Sequence, residues 1–186
     1  GDIFGHGVSI SGDYAIVSSP ENDDVGDDWG NSGSAYIFVR SGTSWSQQAK
    51  LTASDAAESD YFGQGKVSIS GDNALVGSFS NDDAGTDSGS AYIFTRSGTS
   101  WSQKSKLTAS DAAAGDRFGE AVAIDGDYFI AGAQGDDDAS GGHGMGSAYI
   151  YKYRNPDLYS ITTLEHDDDV GQYNSLIQVD DDTYAL

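Results

Sequence analysis

The chain has 186 residues, 37% of them hydrophobic, and its 30 acidic against 9 basic residues give a formal net charge of −21. A negative charge of this size repels polyphosphate backbones and anionic lipid surfaces, which argues against nucleic-acid binding and membrane insertion. The sequence has no cysteine and no apolar run long enough to cross a bilayer, so it contains neither a disulfide framework, nor a thiolate metal site, nor a transmembrane helix.

The first feature along the chain is a repeat. Phe-Gly pairs recur 58 and 56 positions apart, and a Gly-Ser-Ala-Tyr motif recurs 56 and 57 positions apart. A constant period of this size predicts an array of supersecondary units. We place three units at residues 1–59, 60–115 and 116–169, and a partial fourth unit at residues 170–186.

Each unit contains four predicted strands, which the first unit illustrates. Residues 8–10 alternate apolar and polar side chains, and a Gly-Asp pair then predicts a tight turn into the apolar residues 15–17. Residues 34–40 are rich in β-forming side chains, and the polar alternation of residues 45–51 is typical of an outer edge strand. No window keeps an apolar stripe at helical spacing, so an all-β fold is expected.

Four antiparallel strands per unit predict the blades of a β-propeller, here about three blades and a partial fourth. The alternative is a β-solenoid, although solenoid coils are usually shorter and more regular. A propeller closes with about four to eight blades, so we expect the ring to need further blades from a longer chain or from another copy.

These repeated residues resemble the FG-GAP repeat, the blade unit of the integrin α-subunit head and of many bacterial surface proteins. The Phe-Gly pairs stand where the family has FG, and residues 17–20, 76–79 and 131–134 stand where it has GAP. The resemblance covers about residues 1–153. It implies a seven-bladed propeller in the parent chain and an adhesive or ligand-binding role that is extracellular or at the cell surface.

Many members of that family bind calcium in a DxDxDG-type loop between the first and second strands. In this chain Gly-Asp alone fills that place in all three units, so these family ligands have no counterpart.

A different acidic loop follows the second strand of each unit. Calcium prefers several carboxylate and carbonyl oxygens from a loop in which a Gly permits a sharp turn. The alternative is a solvated turn whose Asp and Asn side chains bond their own backbone. The candidate calcium ligands are Asp23, Asp24, Asp27, Asp82, Asp83, Asp87, Asp136 and Asp138.

The sequence shows no catalytic array: it has no Gly-x-Ser-x-Gly elbow and no phosphate-binding loop, so we expect no enzyme. Trp29 lies in a loop without a copy and is the candidate ligand contact. We expect an extracellular adhesion or ligand-binding module for a protein or glycan, with calcium as the candidate cofactor. The alternative is a structural subunit that self-associates into an extracellular filament through open blade edges.

Overall fold

The computed structural model describes residues 1–23, 30–137, 145–154 and 157–165, in which all regular structure is β-strand. Twelve strands form three four-stranded antiparallel sheets, each with its strands side by side in chain order. We call these sheets blades 1 to 3. Their strands are β1 (Val8–Ser11), β2 (Tyr14–Ser19), β3 (Ser34–Ser41) and β4 (Ser44–Leu51); β5 (Val67–Ser70), β6 (Asn73–Ser78), β7 (Ser90–Ser97) and β8 (Ser100–Leu107); and β9 (Phe118–Asp125), β10 (Tyr128–Ala133), β11 (Ser147–Arg154) and β12 (Asp157–Glu165).

The predicted Gly-Asp turns join the first two strands of every blade. Gly12, Gly71 and Gly126 adopt φ values of 57°, 56° and 56°, a left-handed conformation that is accessible to glycine at little steric cost. This confirms the sequence prediction of tight hairpins. The predicted polar strand also lies at a sheet edge, as β4 in blade 1 and β8 in blade 2.

The blades stack face to face, with hydrophobic side chains filling the two junctions. We call the face of a blade that is directed toward the preceding blade its leading face, and the opposite one its trailing face. The trailing face of blade 1 and the leading face of blade 2 share one buried cluster, while the trailing face of blade 2 and the leading face of blade 3 share another. The trailing faces contain Ile16, Ala35, Ile37 and Leu51 in blade 1 and Leu75, Ala91, Ile93 and Leu107 in blade 2.

The Phe of each Phe-Gly pair forms the centre of an aromatic group on the leading face. Phe62 and Phe118 are fully buried and pack edge-on against two aromatic rings of the third strand of their own blade. Phe62 lies 5.4 Å from Tyr92 and 5.9 Å from Phe94 between ring centroids. The repeated aromatics therefore fill the space between blades.

The Gly that opens the third strand permits close contact with the next blade. Phe62 N–H donates to Ser32 O at 2.9 Å, which places the Phe62 backbone directly against Gly33. A Cβ at Gly33 would overlap that backbone, and Gly89 has the same relationship to Phe118. The glycine of the sequence motif is therefore needed because the backbones of consecutive blades come into contact at this position.

The architecture confirms the predicted all-β propeller blades, and the solenoid alternative is wrong because each unit forms its own antiparallel sheet. The three described sheets do not close into a ring. The predicted partial fourth unit, residues 170–186, lies outside the described residues.

Candidate functional site: the loop face

The two ends of the blades are built differently. At one end the first two strands of every blade are joined by a two-residue turn. At the other end the second and third strands are joined by loops of unequal length, at residues 20–33, 79–89 and 134–146. We call this second end, together with the inter-blade linkers at residues 52–61 and 108–117, the loop face.

Each of the first two loops is bonded to the linker that leads into the next blade. Tyr61 N–H donates to Asn31 O and Arg117 N–H donates to Asp87 O, both at 3.0 Å. Gly115 N–H also donates to Thr86 O at 2.9 Å. The loops and linkers therefore form one connected surface.

Residues just before the Phe-Gly pairs are held in a strained conformation on this surface. Ile3, Tyr61 and Arg117 occupy equivalent positions and have φ values of 49°, 49° and 58°. A left-handed conformation costs a non-glycine residue about 1–3 kcal/mol, and it persists where the surroundings fix it. The three equivalent positions thus share one backbone conformation but carry three different side chains.

Predicted calcium ligands in the first two loops act as local turn acceptors. Asp23 Oδ1 accepts a hydrogen bond from Asn31 N–H at 3.0 Å, and Asp82 Oδ1 accepts one from Asp87 N–H at 2.8 Å. Both carboxylates lie at exposed positions. These bonds close each loop at its base before the third strand begins.

Asp83 has a different role, at the junction of blades 1 and 2. The Lys106 ammonium pairs with Asp83 and with Asp55, lies 3.3 Å from Asn81 Oδ1, and sits 5.3 Å above the ring centroid of Tyr92. Burial opposes the charge of Lys106, but its bonds to Asp55 and Asp83 outweigh this and raise its pKa. Burial likewise works against the charge of Asp55, and Lys106 nevertheless holds the pKa of Asp55 below its ordinary value.

Blade 3 lacks this lysine. In the strand registers, Tyr36 pairs with Lys50, Tyr92 with Lys106 and Tyr149 with Thr163. Blade 1 repeats the arrangement of blade 2, because Lys50 Nζ donates to Asn22 Oδ1 at 3.0 Å. Blade 3 therefore has a neutral threonine where the other two blades have a cation.

The same place in blade 3 also carries an additional carboxylate. Asp136, 7% exposed, replaces the asparagine of the other blades, and Tyr149 Oη lies 2.8 Å from Asp136 Oδ2 and 2.7 Å from Asp111 Oδ1. A phenol has one proton and donates to one acceptor at a time. Burial raises the pKa of Asp116 beside them, and the Asp136, Asp111 and Asp137 carboxylates raise it further.

The remaining predicted residues, Asp24, Asp27, Asp138 and Trp29, lie outside the described residues. Within the described ranges, no three His, Asp or Glu side chains are placed to hold a metal ion. The calcium sites therefore stay a prediction.

Sequence reasoning missed the residues at the blade junctions. Lys106, Asp55 and Tyr149 belong to repeated motifs, so their sequence does not distinguish them from residues that only serve the blade packing. The available signal was the loss of lysine at Thr163, which breaks an otherwise regular position.

None of the described residues forms a helix long and apolar enough to cross a membrane. Comparison with curated proteins gave no match. A sequence model of the FG-GAP repeat matches residues 1–38, 45–94 and 101–151. FG-GAP repeats are generally non-enzymatic ligand-binding or adhesion modules of extracellular domains. Because the match extends over most of the sequence and over all three blades, the chain belongs to the FG-GAP repeat family.

Proposed function

We propose that this chain is an extracellular or cell-surface module that binds a protein or glycan ligand through its loop face. The observation that carries this proposal is the contrast between the two ends of the blades. Turns of two residues recur at one end, whereas the loops at the other end differ in length and sequence on the same strands. Loops held by a rigid scaffold are where binding residues are generally found.

Tyr61 and Arg117 are the side chains best suited to contact a ligand in the described part of the loop face. Tyr61 is half-buried, and Arg117 is exposed with its guanidinium 6.0 Å from the ring centroid of Phe79. Tyrosine and arginine contribute strongly to binding at protein interfaces. The surrounding acidity favours a ligand with cationic groups. Trp29 stays a proposed contact on the same loops.

Binding of the labelled chain to a printed panel of purified glycans and extracellular-matrix proteins tests this proposal. For a ligand found there, Tyr61→Ala and Arg117→Ala are each expected to weaken binding by about tenfold, the loss typical of an interface hot spot. Thr43→Ala and Thr99→Ala, in turns at the opposite end, are the matched controls and should leave affinity unchanged. Equal losses from turn and loop variants would contradict the loop face as the binding surface.

We further propose that calcium supports the module at the junction of blades 2 and 3. Asp111 and Asp136 converge there on Tyr149, and Thr163 supplies no charge where the other blades have a lysine ammonium. Calcium accepts carboxylate ligands of this kind together with backbone carbonyl and water oxygens.

A calcium titration of the melting temperature tests this second proposal. Calcium at about one hundred times its Kd is expected to add about 2.7 kcal/mol of stability to the folded chain. Thr163→Lys should abolish the response, because the new ammonium replaces the ion, and Asp136→Asn should weaken it. Lys66→Thr, an exposed change elsewhere, should leave it intact. An unchanged midpoint in excess calcium would exclude calcium support.

The alternative function, a structural subunit of an extracellular filament assembled through open blade edges, stays a proposal.

A further inference from the structure

Asn81 is a buried side-chain amide at the base of the second loop, where it is 3% exposed. Its Oδ1 accepts hydrogen bonds from Ser90 Oγ–H at 2.8 Å and from Asp83 N–H at 3.4 Å, and it lies 3.3 Å from Lys106 Nζ. Its Nδ2 donates to Asp60 Oδ2 at 3.3 Å. An amine, an amide and a carboxyl group therefore meet in one buried contact.

These three groups are the reactants and the acid of an acyl transfer between side chains. An amine that attacks the carbon of an amide displaces ammonia and forms a new amide bond. The reaction needs a base beside the amine, donors beside the amide oxygen on which negative charge develops, and an acid beside the leaving nitrogen. Each of these parts has a candidate in blade 2 or in the linker that precedes it.

Lys106 is the nucleophile, and Asp55 is the base beside it. Cγ of Asn81 is bonded to Oδ1 at about 1.2 Å, so a small movement of the lysine brings Nζ within the distance of attack, about 3–3.5 Å. Asp55 Oδ2 lies 2.6 Å from Nζ and is placed to take its proton. Because the ion pairs of Lys106 hold that proton, its transfer is the slow step.

The other parts lie around Asn81. Ser90 Oγ–H and Asp83 N–H stabilise the oxygen as it becomes negative. Asp60 is 5% exposed, and burial raises its pKa, to which the nearby Asp55 carboxylate adds, although hydrogen bonds to Asp60 work against the shift. A carboxyl group that holds its proton in this way is suited to protonate the leaving nitrogen, which becomes an amine in the tetrahedral intermediate.

Blade 1 repeats only part of this arrangement. Lys50 Nζ donates to Asn22 Oδ1 at 3.0 Å, and Asn22 Nδ2 donates to Asp2 Oδ2 at 3.3 Å. However, Ser34 Oγ, the counterpart of Ser90 Oγ, has no hydrogen-bond partner among the described residues. The amide oxygen in blade 1 therefore lacks the serine donor of blade 2.

Blade 3 has neither reactant. Asp136 stands in the position of Asn81, and Thr163 stands in the position of Lys106. In the part of the chain that the structure describes, the full set of groups thus occurs in blade 2.

We propose that the side chains of Asn81 and Lys106 become joined by an amide bond, which the folded blade 2 forms by itself. The bond from Nζ to Cγ forms, and the bond from Cγ to Nδ2 breaks. Overall, a lysine ammonium and an amide become a side-chain amide and an ammonium ion. Atoms and charge balance without an oxidant, a reductant or a further reactant.

The bond would fasten the second loop to the outer strand β8 of the same blade. In a chain without cysteine it would do what a disulfide does, because a covalent closure restricts the unfolded chain. The lysine loses its charge, but the side chains of Asp55 and Asp83 are 42% and 54% exposed, so water can solvate them. The proposal requires neither a bound ligand nor calcium.

Intact-mass spectrometry of the purified full chain, followed during incubation at neutral pH, tests the proposal. The wild-type mass should fall below that of the sequence by one ammonia, and a protease digest should contain one peptide pair linked through Asn81 and Lys106. Lys106→Arg keeps the positive charge but is not a nucleophile, so this variant should keep its full mass. Lys50→Arg, the matched change in blade 1, should still lose the ammonia.

Asp60→Asn tests the assigned acid, since it keeps the shape of the side chain and removes its proton. The linked fraction should grow at least about tenfold more slowly than in the wild-type chain. A melting curve of the same variant verifies that it is folded, and a folded Asp60→Asn chain that reacts at the wild-type rate would overturn the mechanism.

Three outcomes would overturn the bond itself. The first is a wild-type chain that keeps its full mass after prolonged incubation. The second is a loss of ammonia that persists in Lys106→Arg, which would indicate an asparagine that cyclises on its own backbone. The third is a loss of water instead of ammonia, which would assign the bond to a carboxylate such as Asp55.

Discussion

Lys106 Nζ and Asp55 Oδ2 lie 2.6 Å apart and join the strand β8 of blade 2 to the linker that precedes that blade. The lysine side chain is 19% exposed and that of Asp55 is 42% exposed, so water screens the pair only in part. The same ammonium also holds Asp83 at the base of the second acidic loop. One side chain therefore links a linker, a loop and an outer strand.

Replacing Lys106 by methionine is expected to destabilise the chain. The change leaves two carboxylates without their cation, and we expect a loss of about 1–2 kcal/mol, between the values for surface and buried pairs. Urea denaturation measures it, and the loss should shrink at high salt. Lys66→Met, at an exposed position, is the control. Equal midpoints for the two variants would contradict this role of Lys106.

Gly77→Ala should be far more damaging than the same change at the equivalent Gly132. A Cβ at Gly77 would overlap the carbonyl oxygen of Gly119 in the next blade, whereas at Gly132 the nearest atom is the Ala121 Cβ at 3.7 Å. We expect a loss of about 3 kcal/mol or more at Gly77 and less than about 1 kcal/mol at Gly132. Thermal melts of both variants provide the comparison, and similar midpoints would refute the close approach of blades 2 and 3.

Phe62→Ala should remove a large part of the junction between blades 1 and 2. Phe62 is fully buried against Tyr92 and Phe94, and truncation of such a residue costs about 3–5 kcal/mol. Phe4→Ala is the matched variant, since Phe4 packs on Tyr36 and Phe38 in the same way but is 58% exposed. The Phe4→Ala variant should lose clearly less stability than Phe62→Ala in dilute solution. The denaturant midpoints of the two variants measure this difference. Equal losses of stability would show that burial does not distinguish the two sites.

Asp116→Asn is expected to stabilise the chain at neutral pH and to flatten its pH dependence. Burial and the surrounding Asp136, Asp111 and Asp137 raise the pKa of Asp116 above its ordinary value of 3.8. The folded state therefore holds this proton more tightly than the unfolded state, so stability is complete below pH 3.8 and falls as pH rises through the raised pKa. Melting temperatures of both proteins should coincide at acid pH and diverge above it.

The control for this titration is Asp127→Asn, which removes the same charge from an exposed turn. It should leave the shape of the pH profile unchanged. An Asp116→Asn variant that loses stability in parallel with the wild-type chain as pH rises would show that another group is responsible.

Much of the fold could be predicted from the sequence because the same pattern of strands and turns occurs in three successive units. The alternation in β1, the Gly-Asp turn and the polar edge strand β4 are local features, and local chain geometry governs them. The structure extends β2 to Tyr14–Ser19, beyond the predicted residues 15–17. That extension depends on pairing with neighbouring strands, which no local pattern contains.

The candidate site could be predicted only in outline. The acidic loops are evident in the sequence, but the hydrogen bond from Tyr61 N–H to Asn31 O joins residues from different units. The separate use of Asp83 by Lys106 and of Asp136 by Tyr149 likewise depends on side chains brought together by blade stacking. Carboxylates of the second and third loops therefore have unlike partners, although both loops are acidic in sequence.

The sequence by itself determined the repeat, the strand order within each blade and the family, because these follow from the period and from backbone preferences within one unit. Only the tertiary structure decided which faces of the blades are buried and which carboxylates have a cation. The reason is that burial and charge pairing are properties of the junction between two blades. Thr163 and Lys106 occupy the same strand position in blades 3 and 2. Only the contacts at their junctions show that the lysine pairs with two carboxylates and that the threonine supplies no such cation.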